Sequence, residues 1–176
     1  RPLNEAWTAQ PSGLVLTQRR APRSRQQIIG LANETTLRGD NFMLLVAYGS
    51  PAHVPRSFRL ETVLETAGGV PYPFEELTDS DLNRQRDSLG TFFWKEFDTR
   101  TGVACVLAIR RLDYETRMLP ANTAAMEVVL RNCVPGSARE ALAPMRPDRL
   151  AVAFRAASIN GGVRPRVLNP LAAPEL

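Results

Sequence analysis

The sequence predicts an α+β fold: a mostly antiparallel β-sheet with two or three helices packed on one face. Three observations carry that expectation. Apolar, β-branched runs recur at short, turn-bounded intervals, which is the pattern of strands. Only two stretches, residues 57–67 and 137–145, change to helical spacing. Most connections between neighbouring strands are too short for a crossover, so those strands must run antiparallel.

Residues 14–20 and 26–32 read as two strands around Ala21-Pro22-Arg23-Ser24-Arg25, a hairpin connection in which Pro22 cannot donate to a ladder. A polar loop follows over residues 33–41. Residues 42–48 are apolar without alternation, which suits a strand buried on both faces. Leu60, Val63, Leu64 and Ala67 then fall on one face of a helix, with Ser57 placed to cap it and Gly68 to end it. Residues 69–89 carry the weakest pattern; a short helix is expected within 79–87. Residues 91–98 return to a strand, hairpinned through Thr99-Arg100-Thr101-Gly102 to the apolar run 103–109. A loop over 112–122 leads to the run 126–130, which continues to Cys133. Ser137-Ala-Arg-Glu140 has the form of a capping box, and Pro144 keeps the helix it starts to about two turns. A last edge strand is expected at 149–155. The organisation is a flexible tether over residues 1–13, one domain over 14–158 and an irregular tail over 159–176.

Composition narrows function more than it assigns it. The chain of 176 residues is 44% hydrophobic and 23% charged, with a formal net charge of +4 carried almost wholly by arginine; Lys95 is the single lysine. No apolar run approaches the roughly 20 residues of a membrane-spanning helix. His53 is the only histidine, and its proline-flanked setting reads as a solvated loop, which removes the commonest general base and imidazole-rich metal sites. There is no nucleophile elbow, phosphate-binding glycine loop, dinucleotide-binding turn or zinc-binding His-Glu-x-x-His helix. No catalytic residue, cofactor or metal is expected. Glu75, Glu76, Asp79 and Asp81 read as a solvated acidic surface; the alternative is a carboxylate pair serving a glycan-active enzyme beside Tyr72 and Trp94.

Cys105 and Cys133 lie on segments expected to pair as antiparallel strands, which would bring the two thiols together. A disulfide is the expected reading; two buried reduced thiols are the other. A disulfide would place the protein in an oxidising compartment. Two surface features are candidates for binding. Phe92 and Trp94 share one side of an aromatic-rich strand, and Tyr72 or Phe74 from the preceding loop would extend them into a stacking surface for a sugar ring; the other reading is that these rings only pack under a helix as core. Arg19, Arg20, Arg23 and Arg25 form a hairpin tip suited to an anion; the other reading is a solvated edge whose charge discourages unwanted strand pairing. No aromatics interleave with these arginines, so nucleic acid is not expected as a partner.

The stretch Gly102-Val-Ala-Cys105-Val-Leu-Ala-Ile-Arg-Arg111, followed by Met126-Glu-Val-Val-Leu-Arg-Asn-Cys133-Val-Pro-Gly-Ser-Ala-Arg-Glu140, resembles the alphaproteobacterial cellulose-biosynthesis accessory family BcsN. Thr17-Gln-Arg-Arg20 and Gln26-Gln27 run in the same order, while residues 72–88 depart from that family's glycine- and tyrosine-rich pattern. The resemblance implies an exported, lipid-anchored protein of the periplasm or outer membrane, with other polysaccharide-synthesis components or the glycan itself as partners and no assigned reaction. On this reading the chain is a mature exported protein whose leader has been removed. The expected function is a non-enzymatic accessory factor for cellulose or related exopolysaccharide production.

Overall fold

The computed structural model describes residues 1–56, 60–114 and 119–150. Seven strands form one sheet: β1 (Gly13–Ala21), β2 (Ser24–Leu31), β3 (Asn41–Tyr48), β4 (Asn83–Asp87), β5 (Gly90–Asp98), β6 (Val103–Asp113) and β7 (Ala125–Pro135). Three short helices accompany them: α1 (Leu60–Thr66), α2 (Ala138–Ala141) and α3 (Pro147–Leu150). The strand order is β1-β2-β3-β7-β6-β5-β4, with every neighbouring pair antiparallel. Two meanders, β1 to β3 and β4 to β7, thus close on one another where β3 pairs with β7. The segment carrying α1 takes the chain from the middle of the sheet to its far edge.

The antiparallel α+β architecture is the one the sequence predicts, but the helices do not share a face. Leu60, Val63 and Leu64 of α1 pack on Leu44, Val46, Leu107, Ile109 and Val129. Ala141 of α2, Met145 and Leu150 of α3 pack on the opposite face, over Met43, Leu45, Val106, Ala108 and Val128. The reason is visible in the unalternating runs of β3, β6 and β7: when consecutive residues are apolar, both faces must be covered. Burial of this kind, about 25 cal/mol per Å² of apolar surface, is the main drive for the fold.

Residues 1–13, expected as a tether, help to cover the second face. Ala6 and Trp7 are buried there, and the Gln27 side chain accepts from the Trp7 amide at 2.9 Å and donates to the Glu5 carbonyl at 3.1 Å. The β1–β2 turn is the pair Pro22-Arg23, tighter than the five-residue connection expected, because Ala21 already pairs with Ser24. The helix expected within 79–87 is a single 3₁₀ turn, Asp79–Asp81, followed by β4. Leu150, expected in a strand, ends α3 instead. Ser57, the remainder of the strand expected at 149–155 and the tail over 159–176 lie outside the described residues.

One buried cation ties the loops to the sheet. Arg131 of β7 is 1% exposed. Its guanidinium donates to the carbonyls of Tyr72 at 3.0 Å, Gly39 at 3.0 Å and Arg38 at 2.7 Å, and to the Asn41 side chain at 3.0 Å. Five donors in a rigid fork suit a set of carbonyls fixed on two different loops. Burial pushes the Arg131 pKa below its ordinary value, against the pull of Asp40 and then Tyr72.

Candidate functional site

Cys105 and Cys133 are register partners across β6 and β7, with Cα atoms 4.0 Å apart and a sulfur–sulfur bond of 2.08 Å. Both side chains are fully buried beneath α1. The bond therefore staples the middle of the sheet, where Asn41 of β3 adds a donor to the Cys133 carbonyl at 2.9 Å and an acceptor for its amide at 2.8 Å.

A cleft lies on the face opposite α1, between the β4–β5 edge and the C-terminal helices. It holds about 480 Å³ and is lined by Gln85, Asp87, Phe92 and Trp94 from the sheet, and by Arg139, Leu142, Met145, Arg146 and Pro147 from the helical side. Side-chain alternation puts Phe92 and Trp94 on the same side of β5, and Gln85 is the register partner of Phe92. Ser137 and Glu140 position the opposite wall: Glu140 accepts from the Ser137 amide at 2.7 Å and its hydroxyl at 2.9 Å, which lowers the Glu140 pKa. This is the capping box the sequence predicts, and it sets Arg139 at the rim.

Arg110 underlies the cleft. Its fully buried guanidinium grips Asp87 with two bonds, of 2.6 and 3.0 Å, donates to the Met145 carbonyl at 3.0 Å and stacks 5.2 Å from the Phe92 ring centroid. Burial alone would raise the Asp87 pKa; the Arg110 bonds, the Leu89 amide and the Arg110 charge outweigh it, so the net shift is downward. Asp87 is thereby neutralised within an ion pair, while Arg139 and Arg146 stand exposed at the rim. The result is a cleft with an aromatic wall and a positive rim, chemically suited to a sugar ring with an anionic or hydroxyl substituent.

The four aromatics singled out in the sequence do not form one surface. Phe92 and Trp94 line the cleft, but Phe74 is buried under α1 and Tyr72 lies on that same side, its ring 4.7 Å from the Arg38 guanidinium. The sheet separates the two pairs. The acids expected beside Tyr72 and Trp94 are likewise dispersed. Glu75 pairs with Arg38 at 3.3 Å, and Asp79 accepts from the Leu60 amide at 3.1 Å, capping α1. Asp81 accepts from the Thr78 hydroxyl at 2.6 Å and amide at 2.9 Å, bonds that lower its pKa. Glu76 and Asp81 border a smaller groove of about 240 Å³ beside Lys95. Trp94 has no part in it.

The arginine hairpin is divided as well. Arg25 turns inward, donating to the Ala121 carbonyl at 2.6 Å and the Thr123 hydroxyl at 2.9 Å and lying 5.6 Å from the Trp7 ring. Arg19 points to the α1 side, bonding Gln26 and donating to the Thr66 carbonyl at 2.9 Å. Arg20 and Arg23 are exposed at the tip. His53 closes an exposed 3₁₀ turn, Pro51–His53. Sequence reasoning missed Gln85, Asp87, Arg110, Arg139 and Arg146. The available signal was the Phe92-x-Trp94 spacing together with a capping box that fixes an arginine beside it.

No family model, curated protein or solved structure matches the chain. Among the described residues no helix is long and apolar enough to cross a membrane.

Proposed function

We propose that this protein is a non-enzymatic, exported accessory factor for cellulose-type exopolysaccharide production, acting in the periplasm or at the outer membrane by contact with the glycan and with other envelope proteins. The observation that carries the reading is the cleft between β5 and the C-terminal helices, where Phe92 and Trp94 face Arg139 and Arg146. Aromatic side chains bury apolar sugar faces, and guanidinium groups fork onto hydroxyl or carboxylate oxygens. The Cys105–Cys133 bond supports the compartment, since structural disulfides persist where the environment is oxidising. The resemblance to the BcsN family supplies the pathway, and a lipid anchor upstream of Arg1 belongs to that part of the proposal.

The test is calorimetric titration of the oxidised protein with cello-oligosaccharides and oligouronates. Binding to one of these series, weakened at least tenfold in Trp94→Ala with the fold intact, supports the reading. Absence of binding to both, or binding indifferent to Trp94, overturns the glycan contact.

A further inference from the structure

A second groove, of about 480 Å³, opens on the α1 side of the sheet at the β1 edge. Its floor follows from the strand register. Two rows form it, Val15, Gly30 and Phe42, then Thr17, Ile28 and Leu44; the next row along the strands, Arg19, Gln26 and Val46, lies just beyond the groove. Among the described residues, α1 covers the β3, β7 and β6 part of this face and leaves the β1–β2 part open beside Ala67. Val15 leans over Gly30, where a Cβ would stand only 2.7 Å from Val15 Cγ1, so this position needs glycine for the Val15 side chain to lie along the floor. Leu14 and Val15 at the rim are 69% and 55% exposed, a degree of apolar exposure that marks a binding surface when it borders a cavity.

The polar groups of the groove select its occupant. Asn41 at one end has its side chain fully engaged with Ala32, Cys133 and Arg131, so it offers nothing to a polar ligand. Asp40 shares that end and repels an anion. Just beyond the other end stands the cation of the third row, Arg19, which bonds Gln26 and the Thr66 carbonyl and keeps one guanidinium nitrogen for a further partner. Rows two residues apart are about 7 Å apart, so an extended alkyl chain spans the two apolar rows with its head at the third.

We propose that this groove binds a single-chain amphiphile, its alkyl chain along Val15, Ile28, Phe42 and Leu44 and its phosphate or carboxylate head on Arg19. The site lies across the sheet from the proposed glycan cleft and is independent of it. Titration of the oxidised protein with octyl, decyl and dodecyl phosphate below their micelle concentrations tests it, with octanol, inorganic phosphate and anionic phosphatidylglycerol vesicles as controls. The expected result is one site whose affinity rises about fourfold per added methylene, the burial value of a CH2 group. Arg19→Gln then weakens the alkyl phosphates at least fivefold and leaves octanol unchanged. Val15→Ser, at an exposed position that does not endanger folding, weakens phosphates and octanol alike. Inorganic phosphate binding as tightly as dodecyl phosphate overturns the proposal in favour of a surface anion site. Binding to vesicles without binding to monomeric amphiphile overturns it in favour of a membrane-facing surface. Affinity independent of chain length, or unchanged in both variants, also overturns it.

Discussion

Reducing the Cys105–Cys133 bond is the perturbation whose size follows most directly from the structure. The two cysteines are 28 residues apart, and the loop-closure relation gives about 3.6 kcal/mol for a cross-link of that span. For a domain of this size that corresponds to a fall in Tm of about 7–14 °C. The reduced wild-type protein is the right comparison, because it keeps both sulfur atoms in the core while the covalent link is broken. Replacing both by alanine adds a packing loss at two fully buried positions, so Cys105→Ala/Cys133→Ala must fall below the reduced wild type. Urea denaturation with and without reductant, with thiol counting to verify each state, reads both differences. A reduced protein within about 1 kcal/mol of the oxidised one refutes the loop-closure reasoning.

Three further outcomes follow from the buried charges. Asp87→Asn leaves the Arg110 guanidinium buried without its counter-charge and costs about 3 kcal/mol by denaturation. Because the folded Asp87 pKa lies below its unfolded value, its contribution is complete above about pH 4 and fades as pH falls through the folded value. Stability measured from pH 5 to pH 2 is therefore flatter in Asp87→Asn than in wild type. Arg131→Lys strands carbonyls of the 38–41 loop and Tyr72 and destabilises by about 3 kcal/mol; amide exchange near Gly39 and Tyr72 rises before that of β6. Tyr48 donates to Glu127 at 2.8 Å, and burial followed by the Glu127 charge pushes its pKa up. Tyr48→Phe loses about 2 kcal/mol, the worth of a hydrogen bond to a charged group, read by thermal and urea unfolding.

The central strands were legible because their residues carry their own signal. Residues 42–48 and 103–109 are apolar throughout, and Cys105 and Cys133 meet because the second of these runs pairs with 126–133, whose apolar stretch is broken only by Glu127 before Arg131. The same absence of alternation argues for cover on both faces, so placing all helices on one face conflicted with it. β4, Asn-Arg-Gln-Arg-Asp, has no apolar residue to show a period; it is a strand because β5 offers a ladder at the sheet edge. Trp7 was unreadable for a different reason: its partners, Gln27 and Arg25, lie about 20 residues away on β2. Phe92 and Trp94 were recognisable as a pair from strand spacing, whereas Tyr72 and Phe74 could not be assigned to a face before the path around α1 was known. Arg139 and Arg146 enter the cleft only through the packing of the C-terminal helices.

The proposed function requires a protein that is closed by a disulfide and works outside the cytosol. Its most direct test is alkylation of the full-length gene product in intact native cells, quenched in acid, followed by fractionation and peptide mass analysis. The expected result is Cys105 and Cys133 joined in one cross-linked peptide pair from the envelope fraction. Both thiols alkylated in material from the cytosol would contradict it.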